Sequence, residues 1–207
     1  MKIDNFEVSE GSLDEFTDIY QRLANEFPAN ELKEYKHLQS LLVKKKYKLL
    51  LAKVNQELVG YALIYEIGHL SAIWLDYLAI DPKFQNAGYG TILFNKIMQS
   101  NRDGLIGMFI EVEIPEGDEE SRKQQLRRIN FYERLGARRL NIPYQLPTNS
   151  GGFPMYLYFR PSSKIHRLPK EQIQAAIAEV FDYIHSDVHN RDVILGQFST
   201  LIEAEYF

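Results

Sequence analysis

The chain has 207 residues, 45% of them hydrophobic, enough for one domain with a real core and an appendage. A net charge of −4 and a pI near 5.8 disfavour an exposed basic face for nucleic acid, and the absence of cysteine excludes a disulfide framework, a thiolate zinc site and a cysteine nucleophile. No apolar run approaches the roughly 18 residues of a membrane span, and the start, Met-Lys-Ile-Asp-Asn-Phe, has no signal-peptide pattern, so a cytoplasmic protein with no membrane partner is expected.

In chain order, Lys2–Ser9 reads as a short first strand. Ser12-Leu13-Asp14-Glu15 is a capping box that opens a helix to about Glu26, with Leu13, Phe16, Ile19, Tyr20 and Leu23 on one face and Pro28 as its stop. A second helix is expected from about Asn30 to Lys44. Lys44-Lys45-Lys46 reads as its solvated end, where positive charge suits the dipole. Tyr47–Val54 and Leu58–Ile67 are β-rich runs around Asn55-Gln56-Glu57, a hairpin, and Leu70–Ile80 adds a third neighbouring strand.

Asp81–Gly90 follows, a turn-rich loop holding Pro82, Gly88 and Gly90, and Thr91–Gln99 then shows apolar residues at helical spacing. A strand, a glycine loop and a helix start make a site for anions, because the first helical amides have no partner inside the helix and glycines let a phosphate come close. A Walker loop would need Gly-Lys-Ser or Gly-Lys-Thr, which does not occur, and a dinucleotide fingerprint would need glycine where Leu93 stands. The antiparallel meander ahead of the loop also departs from the parallel βαβ order of a dinucleotide-binding domain.

Asn101-Arg102-Asp103-Gly104 reads as a turn. Leu105–Ile114 is the next strand, parallel to its predecessor by a crossover through the helix. Pro115–Glu120 is an acidic loop, Ser121–Leu135 a helix with Gly136 as its C-terminal cap, and Arg138–Ile142 and Met155–Arg160 the last strands, with a loop over Pro143–Pro154. Pro161-Ser162-Ser163 reads as a linker that divides residues 1–160 from a helical extension, 161–207. In the extension a helix starts near Pro169 and runs to about Ser186, its stripe made by Ile173, Ala176, Ile177, Val180, Phe181 and Ile184; Asp192–Glu205 reads as one more. These stripes must be covered, by the chain's own domain or by a second copy in a homodimer.

Gln85-Asn86-Ala87-Gly88-Tyr89-Gly90 matches Gln-x-x-Gly-x-Gly and follows a strand ending Leu78-Ala79-Ile80-Asp81-Pro82. Together these resemble the GNAT superfamily of N-acetyltransferases. The resemblance covers roughly Glu7–Phe159. It implies an α/β (α+β) fold with a mixed, mostly antiparallel central sheet flanked by helices, and acetyl-CoA as cosubstrate. It also implies pyrophosphate contacts from Gln85, Asn86, Ala87, Gly88, Tyr89, Gly90 and Thr91, and pantetheine pairing by Leu78, Ala79 and Ile80 in a splayed gap between the Leu70–Ile80 and Leu105–Ile114 strands.

Two further pieces carry the resemblance. Phe131-Tyr132-Glu133-Arg134-Leu135-Gly136 matches Phe-Tyr-x-x-x-Gly, which implies Tyr132 as the acid that protonates the departing thiolate, with Phe131 as core. Ile110-Glu111-Val112 is similar to the Leu-Glu-Val of several members, which implies Glu111 as the base that takes the amine's proton. Asp76 and Glu66 are the alternatives, and an exposed acidic edge is the bland reading of Glu111 and Glu113. Seven residues before Tyr132, where several members carry asparagine against the cofactor, stands Gln125.

The function implied is transfer of an acetyl group from acetyl-CoA to a primary amine, on a small molecule or a peptide, by direct attack in a ternary complex. The alternative is a non-catalytic acyl-CoA-binding or protein-interaction module. The acceptor pocket would fall on Phe27–Lys36 and Pro143–Pro154, with Tyr144, Phe153 and Tyr156 as an aromatic wall or as ordinary edge packing. His185 and His189 stand four apart, but no metalloprotease glutamate follows the first. They read as solvated residues near a helix end, and no metal site is expected.

Overall fold

The computed structural model describes residues 5–28, 31–99 and 104–207. The Asn30 helix start, the first residues of the Lys2–Ser9 strand and Asn101-Arg102-Asp103 of the expected turn lie outside them. The chain forms two compact units. One runs to Glu66 and takes in Leu75 to the end of the glycine-loop helix; the other holds Ile67–Trp74 and the remaining chain to Phe207. The fold is mixed α/β with a mostly antiparallel sheet flanked by helices.

The first unit contains β1 (Phe6–Glu10), α1 (Leu13–Glu26), α2 (Tyr35–Val43), β2 (Tyr47–Val54), β3 (Glu57–Ile67, its last residue in the other unit), most of β4 (Ala72–Ile80) and α3 (Tyr89–Gln99), with strand order β1-β2-β3-β4. The capping box forms: the Ser12 amide donates to Glu15 Oε2 at 2.9 Å and the Glu15 amide donates to Ser12 Oγ at 3.2 Å. The Asn55-Gln56 turn has φ of 50° and 69°, the left-handed pair whose twist suits a two-residue hairpin, and it sets Val54 opposite Glu57. β3 is buried at nearly every position, as a strand covered on both faces must be.

Some boundaries differ from the sequence reading. Glu31–Glu34 is not helical, because the polar groups of this segment bond outward: the Lys33 amide donates to Tyr77 Oη at 3.1 Å, Tyr77 Oη donates to the Glu31 carbonyl at 2.8 Å, and Tyr20 Oη donates to the Lys33 carbonyl at 3.1 Å. Gly68–Leu70 is a 3₁₀ turn ending at a left-handed Ser71, so the strand starts at Ala72, not Leu70.

The second unit contains the start of β4, β5 (Gly107–Glu113), α4 (Glu119–Arg134), β6 (Arg138–Arg139), β7 (Gln145–Thr148), β8 (Gly151–Pro161), β9 (Arg167–Leu168), α5 (Lys170–Tyr183), α6 (Arg191–Phe198) and β10 (Glu205–Tyr206). Its strand order is β4-β5-β8-β6, with β7 paired to β8 and β9 paired to β10. β5 and β8 run antiparallel from Gly107 opposite Pro161 to Glu113 opposite Met155. The expected loop over Pro143–Pro154 is instead the β7–β8 hairpin. Its prolines are tolerated because each sits where the ladder is one-sided: Pro147, opposite Gly152, is on β7, which pairs with β8 alone, and Pro154, opposite Gln145, lies on β8 just outside the β5 pairing that ends at Met155.

The stripe Ile173, Ala176, Ile177, Val180 and Phe181 of α5 is wholly buried, as are Leu168 and Phe198. His185 is buried too, its ring 5.7 Å from that of Phe181, which corrects the expectation of a solvated side chain. Helix α6 ends at Phe198, so Asp192–Glu205 is not one helix; Glu205 starts β10. No helix among the described residues is long and apolar enough to cross a membrane.

Candidate active site

In the first unit β4 leaves the core as it approaches the loop. Ala72–Leu75 and Tyr77 are buried, whereas Leu78, Ala79 and Ile80 are half-exposed. Asp81 then caps the short turn Pro82–Phe84 by accepting from the Lys83 amide at 3.0 Å, and it pairs with Arg22 at 2.7 Å. The Lys83 bond first, and then Arg22, hold its carboxyl below the usual aspartate range. Gln85 Nε2 donates to the Ile80 carbonyl at 3.1 Å, so this glutamine braces the loop against the strand end.

Asn86 (φ 64°) and Gly88 (φ 85°) are left-handed, and a Cβ at Gly88 would meet open space, so glycine is there for its backbone and not for room. Helix α3 begins at Tyr89, two residues before the expected Thr91, and its first i→i−4 bond runs from the Ile92 amide to the Gly88 carbonyl at 3.2 Å. The amides before it, through Thr91, are the ones a helix start leaves to an anion. The Tyr89 ring stacks on Phe6 at 5.9 Å and meets Phe84 edge-on at 6.0 Å, so its side chain anchors the helix start. Exposed loop, helix start and half-open strand end suit a phosphate-bearing ligand.

Gly60 on β3 escaped the sequence reading. A Cβ there would come within 2.7 Å of the Ala79 carbonyl oxygen and 2.5 Å of Ile80 Cδ1. Only glycine lets β3 lie this close to the end of β4, and a lone glycine inside a strand pattern was the signal.

The second unit carries the proton-transfer candidates. Tyr132 is buried on α4, and burial pushes its phenol up to about 12 against a smaller opposing pull from Arg128. It therefore keeps its proton at neutral pH. The glycine of Phe-Tyr-x-x-x-Gly has a mechanical role: Gly136 (φ 84°) ends α4, its amide donating to the Glu133 carbonyl at 2.9 Å while the Ala137 amide donates to the Tyr132 carbonyl at 3.0 Å. Phe131, expected in the core, is only half-buried, its ring 5.2 Å from that of Tyr132.

Glu111 and Glu113 do not form an exposed acidic edge. Glu113 is buried in an ion pair with Arg128. Glu111 accepts a bond from Tyr144 Oη on one oxygen and from Trp74 Nε1, at 3.3 Å, on the other. Gln125 Oε1 accepts from the Glu116 amide at 2.9 Å, so Gln125 supports the turn into α4. Tyr144 is buried, whereas Phe153 and Tyr156 are half-exposed. Of the other carboxylates, Asp76 is buried between Lys33 and Tyr47, and Glu66 is paired with Lys48 at 2.9 Å. No cluster of three or more His, Cys, Asp or Glu that could hold a metal occurs among the described residues.

Residues 13–137 match the sequence profile of the Acetyltransferase (GNAT) family. The chain is 26% identical over 176 residues to YjbC of Bacillus subtilis (strain 168), a protein bearing an acetyltransferase name; the match covers 81% of each chain. Among solved structures it is similar to a protein of Bacteroides thetaiotaomicron named for the GNAT family, with a TM-score of 0.68 and 20% identity over 84% of this chain and 96% of that one. It is also similar to the ribosomal-protein-S18-alanine N-acetyltransferase of Escherichia coli, with a TM-score of 0.57 and 18% identity over 78% of this chain and 99% of that one. With more than half of its residues inside the family profile, this chain belongs to the GNAT family of acetyltransferases, enzymes that transfer an acetyl group.

Proposed function

We propose that the protein transfers the acetyl group of acetyl-CoA to a primary amine by direct attack in a ternary complex. The observation that carries this is the run from Gln85 to Thr91, where a left-handed Asn86 and Gly88 lead into a helix start whose first amides precede any helical bond. Those amides would hold the pyrophosphate, and the half-exposed Leu78–Ile80 would pair with the pantetheine. Acetyl-CoA supplies the acetyl group when bound.

The remaining chemistry falls to the chain's own side chains. An ammonium cannot attack a thioester, so Glu111 accepts its first proton and passes it to solvent. As the C–N bond forms and the C–S bond breaks, Tyr132 gives its phenolic proton to the departing sulfur and is restored by the second proton of the amine nitrogen. The protonated state of Tyr132 and the half-buried carboxylate of Glu111 are consistent with these roles. Gln125 is assigned a supporting contact to the cofactor arm through the turn it braces.

A peptide amine is one acceptor class, since the Escherichia coli neighbour is named for an alanine of a ribosomal protein; small-molecule amines are the other. Residues 161–207 are read as an extension. A homodimer through it would use the exposed Val193 and Leu201, because the α5 stripe is already covered.

The test is thermal unfolding with acetyl-CoA, using NADH and ATP as controls, followed by an amine panel. A ligand at about a hundredfold over its dissociation constant stabilises by about 2.7 kcal/mol. A raised midpoint with acetyl-CoA alone, and thiol release with an amine, is the expected result. Binding without release would favour an acyl-CoA-binding module, and no midpoint change would remove the cosubstrate assignment.

A further inference from the structure

Glu111 and the C-terminal helices are connected through one side chain. Tyr144 Oη donates to one oxygen of Glu111, and Trp74 Nε1 donates to the other at 3.3 Å. A carboxylate has about four acceptor positions, and a donor on each oxygen fixes the plane of this one. Tyr144 is itself buried and held at both ends. Its amide donates to the Ile142 carbonyl at 2.8 Å, and its carbonyl accepts from the Met155 amide at 3.1 Å.

The Tyr144 ring is boxed by aromatics from three elements. Trp74 of β4 lies at 6.2 Å, Phe181 of α5 meets it edge-on at 6.2 Å, and Phe198 of α6 meets it edge-on at 5.5 Å. Phe181 and Phe198 touch each other at 6.1 Å, and Gln174 Nε2 ties α5 to the end of α6 by donating to the Ser199 carbonyl at 2.9 Å. Both phenylalanines lie beyond residue 137, where the family match ends.

We infer that Tyr144 is a positioning residue for Glu111, and that α5 and α6 contribute to acetyl transfer by clamping its ring. The inference rests on Glu111 as the proton acceptor. A tyrosine hydroxyl sets where the carboxylate points, and the two phenylalanines set where the hydroxyl points. The C-terminal segment is then part of the catalytic apparatus without touching substrate.

Four variants test this: Tyr144→Phe, Phe198→Leu, their double variant and Glu111→Gln, with Phe181→Leu as a second probe of the clamp should Phe198→Leu not fold. Turnover is measured with the best amine of the panel and with a peptide bearing N-terminal alanine. Tyr144→Phe is expected to lower kcat about tenfold, a modest misplacement effect, with KM for acetyl-CoA and the unfolding midpoint kept. Phe198→Leu lowers kcat in the parent but not in the Tyr144→Phe background, because both act through one hydroxyl.

A second readout needs no acceptor. Trp74 is the chain's single tryptophan and bonds to the same carboxylate. The acid-side titration of its emission that Glu111→Gln abolishes should move to higher pH in Tyr144→Phe, since a donor to the carboxylate has been lost. That control separates Glu111 from Glu113 with Arg128 and from His185 beside Phe181. Unchanged kcat and titration in Tyr144→Phe, with kcat lost in Glu111→Gln, overturns the inference alone. Full kcat in Glu111→Gln overturns the proton-acceptor reading and the inference with it. Additive losses for Tyr144→Phe and Phe198→Leu remove the clamp.

Discussion

Lys33 Nζ lies 2.8 Å from Asp76 Oδ1, and both side chains are almost out of solvent, at 10% and 2% exposure. The second oxygen of Asp76 accepts from Tyr47 Oη, and the Lys33 ammonium also sits over the Tyr77 ring at 5.3 Å from its centroid. Asp76 thus has a donor on each oxygen and a nearby full charge to balance. Glu111 also has a donor on each oxygen, so it is the buried charge of Lys33, which protonation of Asp76 would leave unbalanced, that disfavours Asp76 as the proton acceptor.

Asp76→Asn leaves the Lys33 ammonium buried without its counter-charge. We expect a stability loss of about 3 kcal/mol, as for other broken buried pairs, seen as a lower denaturant midpoint. The folded fraction should retain turnover within severalfold. A kcat collapse at full stability would return Asp76 to the list of bases. Lys33→Met in the Asp76→Asn background should recover part of the lost stability, because the orphaned charge is then removed.

Tyr132→Phe removes the proposed acid and keeps the ring. A positioned acid contributes about 10²–10⁴-fold, so kcat should fall by roughly a hundredfold or more while acetyl-CoA affinity stays near that of the parent. The pH dependence of stability offers an independent check. The Tyr132 phenol is raised from 10.0 to about 12 in the folded chain. Below pH 10 both states hold the proton and burial of the neutral phenol contributes in full. Between about pH 10 and 12 only the unfolded state ionises, so stability falls as pH rises. Over that window the parent should lose roughly 2–3 kcal/mol relative to Tyr132→Phe, measured by urea unfolding at each pH. Parallel profiles would mean that the phenol is exposed to water.

How much of this was legible in the chain follows from the range of the forces involved. The capping box at Ser12 and Glu15, the hairpin turn at Asn55-Gln56 and the glycine stop at Gly136 are local devices, encoded within a few residues, and the structure keeps all three. Glu31–Glu34 looked helical because the partners that capture it, Tyr77 and Asp76, lie more than forty residues away. Tyr144 reads as a pocket wall or as edge packing because nothing near it in sequence announces Glu111 or Phe198. The β7–β8 hairpin was hidden by prolines that exclude a central strand but not one paired on a single side. Motif spacing names candidate residues along the chain, but it does not reach the side chains from distant elements that hold Glu111.

Gly60→Ala tests how closely the strand next to the proposed cosubstrate edge must pack. The added Cβ would sit 2.7 Å from the Ala79 carbonyl oxygen, a backbone atom that cannot swing aside, and 2.5 Å from Ile80 Cδ1, which can. Relief therefore has to come from moving the end of β4 or the facing segment of β3. Overpacking of this kind costs about 1–3 kcal/mol. The displaced strand also includes Leu78–Ile80, the proposed pantetheine edge, and it ends at Ile80, whose carbonyl accepts from Gln85 at 3.1 Å. We therefore expect KM for acetyl-CoA to rise along with the drop in midpoint, and the stabilisation by acetyl-CoA in thermal unfolding to shrink. A lower midpoint with unchanged acetyl-CoA stabilisation would show that the end of β4 tolerates the shift and that the cosubstrate does not depend on its placement.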